Sequence, residues 1–159
     1  MRITTNNEKE TFAFAKKFAK TLKGGEIIGL IGDLGAGKTV FTKGLASGLG
    51  IKNTVNSPTF VLMKVYKAQG KIKNLVHIDA YRLQSMADLT AIGAEEYFNR
   101  ADSITVIEWV DKIQSDLPSN NLIMFNFTRQ NKEKRTLSFT TQDKTRFKEA
   151  SLRFSKKNK

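Results

Sequence analysis

Residues 26–49 carry a pattern that leaves a chain few ways to fold. The apolar run Glu26-Ile-Ile-Gly-Leu-Ile31 passes directly into Gly32-Asp-Leu-Gly-Ala-Gly-Lys-Thr39, and then Phe41, Leu45 and Leu49 recur at i, i+4, i+8. A short uninterrupted run rich in β-branched residues reads as a strand buried on both faces, as in parallel sheets. The spacing that follows reads as a helix over 38–49, closed by Gly48 and Gly50. The join matches G-x-x-x-x-G-K-[ST] at every fixed position and lies in the strand-to-helix context that this phosphate-binding motif requires. The expectation is α/β: a single P-loop NTPase-type domain with a mostly parallel central sheet, an antiparallel hairpin and flanking helices. The plain alternative is a glycine-rich turn that binds nothing, but Lys-Thr at a helix start meets no packing need.

The rest of the chain can be arranged around that core. Phe12, Ala15, Phe18 and Leu22 recur at helical spacing, with Lys16, Lys17 and Lys20 off that face, so residues 8–22 predict a helix laid on the sheet. Residues 59–66 and 72–78 flank a turn at Gln69-Gly70-Lys71 and predict the hairpin. Between residues 84 and 100, Gly93 separates two short helices. Residues 104–107 form another buried strand, ending at Glu108-Trp109, and 122–127 and 136–140 are weaker strands. A length of 159 residues suits one core.

Residue counts narrow the chemistry. With no Cys there is no disulfide framework, thiolate zinc site or cysteine nucleophile, and the single histidine, His77, leaves a histidine metal cluster without members. Within an apolar strand, His77 reads as a packed or edge histidine rather than a catalytic base. No run approaches the ~20 apolar residues of a membrane span, and residues 1–10 lack the apolar core of a signal peptide, so a cytoplasmic protein with no membrane partner is expected. The formal net charge is +12, and the last 31 residues hold eleven Lys/Arg against three acids. Such a tail fits either nucleic acid or a solvated terminus, because charge alone fixes no partner.

The motif has a definite physical use. Its glycines, Gly32, Gly35 and Gly37, let the backbone through Asp33, Leu34 and Ala36 curl so that successive N–H groups point inward, and the helix start adds its dipole. Lys38 is then expected to reach the β and γ phosphates and Thr39 to offer its hydroxyl to Mg²⁺. Such a site also needs a carboxylate at a neighbouring strand end, and two apolar strands end in one: Asp79 and Glu108. Each taken alone could be a surface or capping acid. Asn56-Ser57-Pro58-Thr59-Phe60 reads as a strand-initiating turn or as a hydroxyl-bearing switch. Arg82 could be a phosphate contact or a surface charge.

Gly32–Thr39, Ser57-Pro-Thr-Phe60, His77-Ile-Asp-Ala-Tyr-Arg-Leu83 and Ile107-Glu-Trp109, in that order and at those separations, resemble the TsaE (YjeE) family, P-loop ATPases required for threonylcarbamoyladenosine in tRNA. The resemblance runs from about residue 10 to Arg135. It implies ATP and Mg²⁺ as cofactors, with Lys38 and Thr39 at the phosphates, Glu108 completing the metal site and Asp79 in the Walker-B-like place. It also implies that 57–60 is a switch-like loop and that Thr11, Trp109 and Arg135 approach the nucleotide, although Arg129 and Lys134 compete with Arg135 for its place. One departure is Val110-Asp111, where many members continue Glu-Trp with Pro. The activity implied is slow ATP hydrolysis by an accessory of the TsaB and TsaD proteins, touching tRNA indirectly or through the basic tail. The corresponding division is a P-loop ATPase domain over 1–142 and a basic C-terminal helix or tail over 143–159.

Two other functions are also compatible with the sequence. A P-loop small-molecule kinase usually carries an Arg-rich lid, and residues 84–100 hold one Arg. A basic RNA-binding module with a regulatory nucleotide site would account for the charge. A GTPase is disfavoured, because Asn131-Lys-Glu-Lys134 ends in Lys where guanine recognition needs Asp.

Overall fold

Strands that run apolar in the sequence lie side by side in the middle of one sheet. In the computed structural model, which describes residues 1–147, the strands are Arg2–Thr5 (β1), Ile27–Ile31 (β2), Met63–Lys67 (β3), Asn74–Asp79 (β4), Ser103–Glu108 (β5), Leu122–Arg129 (β6) and Arg135–Thr141 (β7). Their order is β1-β7-β6-β2-β5-β4-β3. The four central strands, β6, β2, β5 and β4, are mutually parallel. Antiparallel strands close both edges: β3 on one side, β7 and β1 on the other.

The helices are Glu8–Ala19 (α1), Lys38–Gly48 (α2) and Met86–Ala91 (α3). Asn7 caps α1, its side chain accepting from the Glu10 amide at 2.9 Å. α1 and α2 pack closely because Gly44 and Gly48, one turn apart, have no side chains. A Cβ at either would collide with the Phe12 or Lys16 carbonyl and with Ala15 or Ala19. This brings Phe14, Phe18 and Phe41 together over β6 and β7, where Phe41 and Phe125 rings sit 4.6 Å apart and Phe125 stacks on Phe139 at 4.8 Å. Each buried ring contributes about 1.5–3 kcal/mol of hydrophobic stabilisation. The opposite face buries Val76, Ile78, Leu89, Ile107, Val110 and Leu117.

The α/β expectation holds, including the hairpin, now β3–β4, and the break at Gly93, which adopts φ 77°. Two details differ. β1 is an additional edge strand, too short to leave a periodic signal. β3 begins at Met63, because 58–62 fold into a turn in which Val61 and Leu62 amides donate to the Pro58 carbonyl. That turn leaves Phe60 94% exposed. Beyond β7, residues 144–147 are helical, Phe147 is buried against Phe18, and Arg146 pairs with Glu26 at 2.7 Å. The remainder of the basic tail lies outside the described residues. Among the described residues, no helix is long and apolar enough to cross a membrane.

Candidate functional site

The parallel register sets the site. β2, β4 and β5 all end at the same edge, with Leu30 opposite Glu108 and Glu108 opposite Asp79. The loop leaving β2 therefore turns over the two acids. Gly32, Gly35 and Gly37 adopt φ of 146°, 75° and 105°, conformations that residues with a Cβ rarely reach. Gly37 is the N-cap of α2, and no side chain caps that end. The first amides of α2 therefore remain available to an anion. A cleft of about 310 Å³ opens there, lined by residues 34–40 together with Glu8, Ser57, Thr59, Asp79, Glu108 and Trp109.

Lys38 is buried and folds back over its own loop. Its Nζ donates to the Gly32 carbonyl and, at 3.0 Å, to the Asp33 carbonyl, and lies 3.7 Å from the Trp109 ring centroid. Burial lowers its pKa, and the nearby Glu108, Asp79, Asp33 and Asp111 carboxylates oppose that shift. Trp109 is held over the lysine by a left-handed backbone, φ 61°, and by an edge-to-face contact with Tyr81 at 5.2 Å.

The two acids have different surroundings. Thr39 Oγ1 donates to Glu108, 3.1 and 3.2 Å from its two oxygens, and His77 Nε2 lies 2.8 Å from Oε1. Asp79 instead holds the 57–60 loop. Its Oδ2 accepts from Thr59 Oγ1 at 2.7 Å and Ser57 Oγ at 3.4 Å, while Oδ1 accepts from the Tyr81 amide at 3.0 Å. Arg82 donates to the Thr59 carbonyl, so it braces the same loop.

The two outlying residues occupy different places. Arg135, fully buried at the start of β7, has its Nε and Nη1 without hydrogen-bond partners among the described residues. Its side chain lies against Gly37, where a Cβ would sit 3.1 Å from Cδ. Arg129 approaches Gly35 in the same way, at 3.6 Å. Thr11 is buried and shares a hydrogen bond with the Thr5 hydroxyl at 2.8 Å; the α1 residue on the cleft is Glu8. The spacing of His77 two residues before Asp79, on the same face of β4, is the signal that could have linked it to Glu108. Glu8 carried no such signal.

The family model for the threonylcarbamoyl adenosine biosynthesis protein TsaE matches residues 5–137. The tRNA threonylcarbamoyladenosine biosynthesis protein TsaE of Bacillus subtilis is 40% identical over 140 residues, spanning 88% of this chain and 85% of its own. Its counterpart from Treponema pallidum is 41% identical over 118 residues, 74% of this chain and 84% of its own. A crystal structure of Bacillus subtilis YdiB superposes with a TM-score of 0.76 at 33% identity, covering 100% of this chain and 96% of that one.

Proposed function

The chain belongs to the TsaE family of tRNA threonylcarbamoyladenosine biosynthesis proteins, and from that membership and the cleft we propose that it binds ATP with Mg²⁺, hydrolyses it slowly, and acts as a cytoplasmic accessory of the TsaB and TsaD proteins. The observation that carries this reading is the pairing of Thr39 with Glu108 directly beneath the glycine loop. A hydroxyl at the helix start and a carboxylate at the adjacent strand end would together hold Mg²⁺ against bound phosphates. Among the described residues, no group of three or more His, Cys, Asp or Glu could hold a metal by itself, which fits a metal that arrives with its nucleotide.

Bound Mg²⁺ supplies charge neutralisation at the β and γ phosphate oxygens. Thr39 and Glu108 would hold it, with Asp79 beside them. Lys38 exchanges its two carbonyl acceptors for phosphate oxygens, gaining the counter-charge that its burial withholds. The unpaired Nε and Nη1 of Arg135 beside Gly37 are the kind of orphaned buried donors that an anion satisfies. Asp79, through Thr59 and Ser57, links the phosphate end of the cleft to the loop bearing Phe60. With Leu34 87% and Phe60 94% exposed at the cleft rim, that face suits a protein partner. Partner contact would then help to position the attacking water, in keeping with the slow turnover proposed for the chain alone.

Calorimetry tests this reading directly. ATP is expected to bind more tightly with Mg²⁺ than without, and Lys38→Ala to abolish turnover. Absence of ATP binding, or unchanged turnover in Lys38→Ala, would exclude it.

A further inference from the structure

Within an apolar strand His77 reads as a packed or edge residue, yet the fold gives it a specific neighbour, Glu108. We propose that His77 is a positioning residue that fixes the carboxylate of Glu108 for the metal-nucleotide site by donating to it from Nε2–H. This inference rests on the reading of the cleft as an ATP–Mg²⁺ site.

The geometry is a three-member chain. His77 Nε2 is 2.8 Å from Glu108 Oε1, and the same carboxylate lies 3.1 and 3.2 Å from the Thr39 hydroxyl. His77 is fully buried in β4 and Glu108 is buried at the end of β5. The parallel register places His77 opposite Val106 and Asp79 opposite Glu108, so the imidazole reaches its carboxylate diagonally across the strand pair. β4 and α2 thus converge on one carboxylate group, which cannot swing without breaking the buried contact to His77.

The tautomer follows from the second ring nitrogen. Nδ1 is buried and has no hydrogen-bond partner among the described residues. A proton on Nδ1 would leave a buried N–H unsatisfied and turn the Nε2 lone pair toward a carboxylate, two unfavourable arrangements at once. A proton on Nε2 donates into Oε1 and leaves only a weak acceptor unmet. Oε1 is then engaged by the histidine, while Oε2 makes no contact with the imidazole and stays within reach of the Thr39 hydroxyl. Ligand carboxylates in metal sites are commonly held by such outer partners, and their loss typically lowers metal affinity or activity by about 10–100-fold.

His77 is the only histidine in the chain, so one imidazole spin system reports the arrangement without assignment. Long-range proton–nitrogen correlation on the ¹⁵N-labelled full chain is expected to show the Nε2–H tautomer, with its Nε2 resonance moving when Mg²⁺ and ATP are added together. An Nδ1–H tautomer overturns the proposal whether or not ATP is hydrolysed. His77→Leu is expected to reduce the Mg²⁺-dependent gain in ATP affinity and kcat by about 10–100-fold, leaving Mg²⁺-free ATP affinity unchanged. His77→Gln, which keeps a donor near the Nε2 position, is expected to restore most of both. Unchanged Mg²⁺ dependence in His77→Leu, or a His77→Gln protein as impaired as His77→Leu, overturns the positioning role. If His77→Leu does not fold, the spectrum and His77→Gln still decide it. Failure of the wild-type chain to bind ATP with Mg²⁺ at all would instead remove the proposed function.

Discussion

The Lys38 ammonium lies 3.7 Å from the centroid of the Trp109 ring while donating to the carbonyls of Gly32 and Asp33. Trp109 is the only tryptophan in the chain. A cation over an indole face is worth about 0.5–2 kcal/mol, depending on desolvation. Polyphosphate draws the ammonium toward the loop amides, so tryptophan emission is expected to change when ATP with Mg²⁺ is added. Lys38→Ala should shift the emission of the free protein and remove the response. A wild-type spectrum indifferent to nucleotide at concentrations where calorimetry shows binding would refute the coupling of ring and lysine.

The same lysine predicts a pH dependence. Burial lowers the Lys38 pKa below its ordinary 10.5, so in the window between the lowered value and 10.5 the unfolded chain holds more protons than the folded one. Stability from this group therefore rises with pH across that window. Phosphate restores the charged form, so nucleotide affinity should fall as pH rises through the lowered value, with proton uptake on binding. Calorimetry in buffers of different ionisation heat measures that uptake. Lys38→Met should bind no ATP and lose this contribution, so that its thermal midpoint rises less with pH across that window than the wild-type one does.

Asp79 and Glu108 stand opposite each other in register but hold different things, and their variants should fail differently. Glu108→Ala removes the carboxylate shared by Thr39 and His77 and should lower Mg²⁺-dependent turnover by about 10²-fold. Asp79→Ala releases Thr59 and Ser57. It should cost less in Mg²⁺ dependence and more in protection of the 57–62 loop from proteolysis. Turnover against Mg²⁺ concentration, with limited proteolysis, separates the two. A larger Mg²⁺ defect in Asp79→Ala would transfer the metal role to Asp79.

Where one period dominates, the chain discloses its elements directly. The largely apolar runs at Ile27–Ile31, Asn74–Asp79 and Ser103–Glu108 are three of the four parallel central strands, and two acids at strand ends meet because parallel strands end at one edge. Features set by long-range register leave no local mark. β1 is four residues whose partners in β7 run from Arg135 to Ser138, more than a hundred positions along the chain. The approach of Arg135 to Gly37, the contact of Glu8 with the cleft and the bond between His77 and Glu108 are likewise products of the assembled sheet. Phe60 looked like the beginning of a strand because aromatic and β-branched residues favour strands. Pro58 instead closes a turn that sends Phe60 into solvent.

The basic tail cannot be tested by removing it whole. Phe147 stacks 5.1 Å from Phe18, and Arg146 Nη2 pairs with Glu26 Oε1, whose carboxylate also accepts from the Lys23 and Gly24 amides. Truncation after Gln142 takes away a buried ring and one partner of a buried carboxylate, at a cost of about 3–5 kcal/mol for the ring alone. Urea unfolding should show a midpoint lowered to match. Truncation after Phe147 keeps both contacts and removes five Lys/Arg with one acid, Glu149. In that variant a change in tRNA affinity can be read as a charge effect. If those cations contact phosphates, the slope of log affinity against log salt should flatten by about 0.7–0.9 per lost contact. An unchanged slope would assign them to solvent.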